Sequence, residues 1–169
     1  MLSKTIEKAL NEQLELEAQS SHFYLAMASW AEVKGYPGIA DFMFQHSDEE
    51  RMHAMKLLKY INERGGEAYV PALRAPDLKI DNITDVFKSL YQHEVGVTKA
   101  INQVVHECLQ EKDYSTHNFM QWYVAEQLEE EALAREILDR LQLIGNDKGG
   151  MYLFDRDIKS FHNKPGGQQ

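Results

Sequence analysis

The sequence is poor in cysteine and proline, and it has no long apolar run. It contains one cysteine, Cys108, and four prolines among 169 residues. A single cysteine cannot form an intrachain disulfide, which excludes a disulfide-stabilised extracellular fold. No stretch approaches the roughly 18 consecutive apolar residues that read as a transmembrane helix, so we expect no membrane partner.

The N-terminal residues carry no recognisable targeting signal. Met1 leads directly into an amphipathic pattern that begins near Lys4. This leaves no room for the apolar segment of a secretory signal peptide. Together with the scarcity of cysteine, it predicts a cytoplasmic protein.

Basic residues are also scarce relative to acidic ones. There are 18 lysines and arginines against 27 aspartates and glutamates, and the formal net charge is −9. Binding to nucleic acid requires clustered Lys and Arg against the phosphates, so we expect no nucleic-acid partner. An acidic protein attracts cations, but an excess of Glu is also common on soluble surfaces. Net charge alone therefore does not indicate a function.

What the sequence does contain is four long amphipathic helical patterns and a shorter fifth one. Apolar residues recur at steps of three and four over residues 4–34, 38–64, 82–111 and 115–144, and a shorter pattern covers 150–160. Residues 65–81 lack a period, contain Pro71 and Pro76, and are numerous enough to run the length of a helix bundle. We therefore predict one all-α domain, residues 1–169, with a long crossover between the second and third helices. Residues 163–169 are predicted to be disordered.

Polar residues interrupt each long apolar stripe near its middle. They are Glu17, Glu50, His53, Glu94, Gln127 and Glu130. The second half of the chain repeats the first at one offset of 77 residues, since positions 17, 50 and 53 become 94, 127 and 130. The sequence thus indicates a diverged duplication of a two-helix unit. Because each residue lies near the middle of its helix, the six are predicted to share one layer of the bundle.

A buried layer of four carboxylates, one imidazole and one amide is typical of a site for two divalent metal ions. Buried carboxylates are costly without a nearby cation. Oxygen and nitrogen ligands favour iron or manganese, with zinc as a competitor. Glu50, at the centre, is the candidate bridge between the two ions. Any one of these residues alone is more often an ordinary core residue, so the interpretation depends on the combination.

The two i, i+3 pairs, Glu50 with His53 and Gln127 with Glu130, carry a resemblance to a known family. Ferritin-like dimetal bundles have a Glu on two helices and Glu-x-x-His on the other two. Here the first half matches that pattern, but the second half has Gln127 and Glu130 in place of Glu and His. In this departure the chain resembles the bacterial non-haem ferritins. The similarity covers nearly the whole chain, including residues 11–13, 118–124 and 129–131. It implies a ferritin-like four-helix bundle with a long crossover and a short fifth C-terminal helix.

The resemblance also implies which residues hold iron. One iron ion would be held by Glu17, Glu50 and His53. The other would be held by Glu50, Glu94 and Glu130, with Gln127 beside them. Tyr24, two turns along the helix from Glu17, corresponds to a tyrosine that can donate an electron during O₂ reduction.

A third iron position is implied by the same resemblance. Its residues would be Glu49, Glu126, Glu129 and Glu130. Positions 126, 129 and 130 share one helix face, which gives this set some independent support. A solvated acidic face remains an equal interpretation of Glu126 and Glu129.

The function implied is iron storage with ferroxidase activity. Fe(II) would be oxidised with O₂ or H₂O₂ at an intrasubunit di-iron centre. Fe(III) would then be stored as a hydrous ferric oxide mineral inside a homo-oligomeric shell of 24 subunits.

Several alternatives differ from this interpretation at identifiable positions. Haem-binding relatives place a methionine directly after the bridging Glu, where this chain has Arg51, so no haem is expected. A non-storage di-iron oxidase or peroxidase would share the metal layer but retain only about two ions per chain. In a purely structural four-helix protein, replacing Glu50 by alanine would leave metal binding unchanged.

Overall fold

The computed structural model describes residues 2–161, which form five α-helices and a terminal 3-10 turn. The elements are α1 (Lys4–Val33), α2 (Pro37–Glu63), α3 (Ile83–Gln110), α4 (Tyr114–Ile144), α5 (Lys148–Asp157) and the turn Ile158–Phe161. This part of the chain contains no strand, so the all-α prediction is confirmed. None of its helices is both long and apolar enough to cross a membrane. The predicted disordered tail, 163–169, lies outside the described residues.

Short polar side chains begin four of the five helices. Each accepts a hydrogen bond from a backbone N–H of the first turn that has no partner within the helix. These N-caps are Ser3, Asn82, Asp113 and Asp147. Because Asp147 accepts from Gly149 and Gly150 N–H, α5 begins two residues before its predicted start at 150.

The helices form two antiparallel hairpins that pack side by side. In the first hairpin, Ser21 on α1 hydrogen-bonds to Ser47 on α2. The start of α1 packs in one apolar cluster with the end of α3, as Leu10 and Cys108 show, so α1 and α3 are antiparallel as well. It follows that α2 and α3 run parallel to each other, and the segment between them must return along the whole bundle.

Two amides on α1 hold this crossover in place. Asn11 donates to the carbonyl of Glu67 at 3.0 Å and accepts from Tyr69 N–H at 2.8 Å. Gln19, about two turns further along, makes the same two-way contact with the backbone of Arg74, at 2.9 and 3.0 Å. The aperiodic segment therefore has a fixed path along α1, although it contains no helix of its own.

The apolar core is divided into two clusters, one toward each end of the bundle. One cluster contains Tyr24, Phe42, Phe87 and Leu141. The other contains Leu10, Leu57, Ile101 and Met120. On every long helix the predicted polar residues fall between the positions that belong to these two clusters. The fold therefore places a polar layer between two well-packed apolar ends.

The fifth helix is attached to the bundle by an unusual cap. The residue before α2, Tyr36, provides no side-chain cap. Instead the carboxylate of Asp155, on α5, accepts from the N–H groups of Ile39 at 2.9 Å and Gly38 at 3.3 Å. A negative charge is favourable at a helix N-terminus. The same approach brings the backbone of Asp155 so close to Gly38 that a Cβ there would overlap its carbonyl oxygen.

We expect Gly38→Ala to destabilise the protein by about 1–3 kcal/mol, because the added methyl must push α5 away from the start of α2. Gly96→Ala, on the exposed side of α3, is the matched control, since a Cβ there meets no atom within 4 Å. It should stabilise by roughly 0.5–1 kcal/mol through helix propensity. Thermal unfolding of both variants measures the difference, and equal midpoints would contradict the close approach.

Candidate metal centre

The six polar residues of the central layer are all buried. Glu130, the most exposed of them, is only 9 % exposed, and Glu94 is fully covered. At this depth an ionised carboxylate loses most of its hydration, which costs several kcal/mol unless charge or hydrogen bonds replace it. The partners of each carboxylate therefore decide what the layer can bind.

One group joins α1 and α2. His53 Nδ1 lies 3.7 Å from Glu17 Oε2 and 3.5 Å from Glu50 Oε2. These three residues offer ligand atoms that all lie within 4.8 Å of one another, close enough to surround a single ion. Gln13 donates to the other oxygen of Glu17 at 2.7 Å and so fixes its orientation. The structure thus brings together the three residues predicted for the first iron position.

A second group surrounds Glu94 on α3. The hydroxyl of Tyr24 donates to Glu94 Oε1. Gln127, on α4, donates its amide to Glu94 Oε2 at 2.9 Å. Both oxygens of this carboxylate are therefore positioned by neighbours, one from α1 and one from α4.

The third group contains a residue that is not among the predicted ligands. His46 Nε2 lies 3.3 Å from Glu130 Oε2, and Glu49 completes a cluster whose ligand atoms also lie within 4.8 Å of one another. His46 precedes Glu50 by one helical turn on the same buried stripe. That position is the only sequence signal for it, and it equally fits a core histidine.

Protons are shared unevenly within the first group. Burial alone would raise the pKa of Glu17, but its hydrogen bonds with His53 and Glu50 outweigh burial and hold the pKa below the ordinary value. Burial and the neighbouring Glu17 raise the pKa of Glu50 well above its usual range. Burial lowers the pKa of His53, but the two carboxylates raise it to about 10. Near neutral pH, Glu50 and His53 therefore retain protons that a metal ion would replace.

The charged residues of the three groups interact electrostatically with one another. Burial, followed by the charge of Glu130, raises the pKa of Glu94 to about 7. The charge of Glu94 in turn contributes to the raised pKa of Glu50. The five ionisable residues of the predicted layer are thus close enough to influence one another's ionisation.

The donor set fits divalent iron. It consists of carboxylate, imidazole and amide groups without a thiolate, since Cys108 lies in the apolar cluster toward one end of the bundle. Among the described residues, Glu50 Oε2 is buried without a well-aligned hydrogen-bond donor. A buried acceptor of this kind is satisfied by a cation placed between Glu17, Glu50 and His53.

Of the residues predicted for a third iron position, Glu130 belongs to the buried layer, whereas Glu49, Glu126 and Glu129 are more exposed. Glu126 is partly buried and Glu129 is exposed. Burial raises the pKa of Glu126, with smaller contributions from the charges of Glu130 and Glu129. The structure groups Glu49 directly with His46 and Glu130, and this group does not include Glu126 or Glu129.

Comparison with known families identifies the chain. The family described as Ferritin-like domain matches residues 7–144, a range that includes every residue of the buried layer. The chain belongs to the ferritin family.

Individual ferritins are similar over almost the whole chain. A bacterial non-heme ferritin of Campylobacter jejuni is 44 % identical over 160 residues, covering 95 % of this chain and 96 % of the relative. One from Staphylococcus aureus strain MRSA252 is 37 % identical over 158 residues, covering 94 % and 95 %. The predicted resemblance to bacterial non-haem ferritins is therefore confirmed.

Solved ferritin structures share the fold. An open pore ferritin from the archaeon Archaeoglobus fulgidus superimposes with a TM-score of 0.91 at 42 % identity, covering 93 % of this chain and 96 % of that one. The Chlorobium tepidum ferritin has a TM-score of 0.84 at 40 % identity, with coverage of 98 % and 99 %. The prediction of a four-helix bundle with a long crossover and a short fifth helix is confirmed.

We expect Co(II), a redox-stable substitute for Fe(II), to bind more tightly as pH rises from about 6 to about 8. Binding must displace the protons held by Glu50 and His53, and each released proton strengthens apparent affinity by about tenfold per pH unit. Calorimetric titration in buffers of different ionisation enthalpy counts the protons. His53→Gln should release one fewer, and an affinity independent of pH would contradict this account.

Proposed function

We propose that this ferritin oxidises Fe(II) at the central layer and stores the Fe(III) as a hydrous oxide inside a shell of 24 copies of the chain. The observation that supports it best is that Glu17, Glu50 and His53 form a compact buried ligand group beside a second carboxylate, Glu94. Two adjacent positions are what two-electron oxidation requires, because each Fe(II) supplies one electron.

Fe(II) would be the substrate, and the ligand groups support two positions for it. Glu17 and His53 would complete the first position. Glu94 and Glu130 would complete the second, with Gln127 beside them. Glu50 would bridge the two, since its charge is coupled to Glu17 on one side and to Glu94 on the other.

Two Fe(II) ions together supply two electrons. That number reduces one O₂ to H₂O₂, or one H₂O₂ to two waters, with two protons taken up in either case. Tyr24 donates its hydroxyl proton toward Glu94, so oxidation of the phenol could pass that proton to a carboxylate already in contact. We therefore assign Tyr24 as an auxiliary electron donor.

Glu49, Glu126, Glu129 and Glu130 would provide a third position for iron leaving the layer. Glu49 and Glu130 lie with His46 at the edge of the buried group, and Glu126 is partly buried next to them. A gradient from buried to exposed carboxylates suits the passage of a cation from the centre to the surface. We add His46 to this set on the basis of its distance to Glu130.

The shell is proposed from family membership and one surface of the chain. Leu143, Tyr152 and Leu153, around the end of α4 and along α5, are 87, 69 and 48 % exposed. Apolar patches of this kind are commonly covered by another subunit. A helix as short as α5 gains stability from such packing rather than from its own propensity.

Storage is tested by size-exclusion chromatography after aerobic addition of Fe(II), with protein and iron measured in each fraction. We expect iron far in excess of three ions per chain to co-elute with a particle of several hundred kilodaltons. If each chain instead retains about two ions in a small species, the layer serves a non-storage oxidase or peroxidase, and the storage proposal is wrong.

Glu50→Ala should slow the initial rate of Fe(II) oxidation at least about tenfold, because it removes the residue shared by both positions. The particle should elute at the same volume, because Glu50 is buried inside the subunit and does not lie on its surface. Glu63→Ala removes an exposed glutamate from the same helix and should oxidise Fe(II) normally. Stopped-flow absorbance of Fe(III) measures the rates, and a Glu50→Ala protein as fast as its control would refute the assignment.

A further inference from the structure

A chain of hydrogen bonds leads from the metal layer out through the contact between α3 and α4. Gln127 Nε2 donates to Glu94 Oε2 at 2.9 Å, faces the backbone carbonyl of Glu94 at 3.2 Å and lies 3.4 Å from Thr98 Oγ1. The Thr98 hydroxyl donates to Glu131 Oε1 at 2.7 Å. Arg135 holds the other oxygen of Glu131 at 3.1 Å. No step of the iron chemistry described above uses Thr98 or Glu131.

The direction of these bonds is determined by their chemistry. A threonine hydroxyl has one proton, and here Glu131, which can only accept when ionised, takes it. Thr98 Oγ1 is then left with lone pairs, so it can only accept from Gln127. The amide nitrogen of Gln127 must therefore face Thr98 and Glu94, and its carbonyl oxygen must face the other way.

We propose that Thr98 and Glu131 are positioning residues for the second Fe(II) position. They fix the amide of Gln127, and through Gln127 they fix the carboxylate of Glu94. This inference rests on the proposed function, because it concerns the same layer. It adds two residues outside the predicted ligand set and gives each of them a defined task.

The alternative amide orientation shows why this task matters. If the amide rotated by half a turn, its carbonyl oxygen would face Glu94 Oε2, and two acceptors would repel each other. Glu94 would then retain only the hydrogen bond from Tyr24 and could turn away from its neighbours. Glu94 itself presents two acceptors to the amide, its carboxylate and its backbone carbonyl, and Thr98 adds a third that strengthens the preference for the observed orientation.

Thr98→Val tests the proposal, since valine keeps the shape of threonine but lacks the hydroxyl. The probe is Co(II), titrated anaerobically into the full-length protein by calorimetry and by visible absorbance. The binding event that His53→Gln removes marks the first position. In Thr98→Val the other event should weaken by about 10- to 100-fold, the usual effect of removing a residue that orients a metal ligand.

The remaining variants separate positioning from general loosening of the bundle. Thr98→Ser keeps the hydroxyl and should restore the affinity of the second event. Glu131→Gln should weaken that event, because an amide no longer forces the Thr98 proton outward. Gln103→Ala removes a 2.6 Å hydrogen bond to Glu107 elsewhere on α3 and should leave both events unchanged.

Two results would overturn the positioning role. One is a Thr98→Val protein that binds both ions as tightly as the parent chain. The other is equal weakening of both events, which would indicate only a disturbed helix contact. Absence of two events in the parent protein would instead overturn the proposed dimetal centre itself, so the two failures are distinguishable.

Discussion

The cost of burying several carboxylates in one layer is the constraint on which this structure depends. Removing such groups from water is unfavourable by several kcal/mol each, and the neighbouring basic side chains are His46, beside Glu130, and His53, beside Glu17 and Glu50. Protons lessen the cost, as the raised pKa values of Glu50 and Glu94 show. Divalent cations lessen it further, because each supplies two positive charges. The layer thus lowers the stability of the metal-free protein, and binding of a divalent cation would recover part of that loss.

The two apolar clusters make this loss tolerable. They pack the bundle on both sides of the layer, so the carboxylates cannot separate without disrupting well-packed side chains. Hydrogen bonds then orient individual carboxylates: Gln13 donates to Glu17, and Tyr24 and Gln127 donate to Glu94. These side chains are therefore already oriented before a metal ion binds, and binding would require little further ordering of them.

The height of each layer residue along the bundle could be predicted from sequence, because helical periodicity and a fixed rise per residue determine it. The family pattern in Glu50, His53, Gln127 and Glu130 predicted the fold. Contacts between helices were not predictable in the same way. The pairing of His46 with Glu130 depends on how α2 and α4 are rotated against each other. The carboxylate of Asp155 caps α2 across more than 110 residues of sequence, so the local sequence pattern around either residue does not predict this contact.

The amides that fasten the crossover to α1 bear on how the chain folds. Each hairpin joins neighbours in sequence, whereas Asn11 and Gln19 contact backbone more than 50 residues away. Local contacts close small loops and form early, and distant ones form after the loop entropy has been overcome. We therefore expect the crossover to be fastened late in folding, and contacts made late act mainly on the rate of unfolding. Asn11 and Gln19 would set how long the folded subunit lasts more than how quickly it forms.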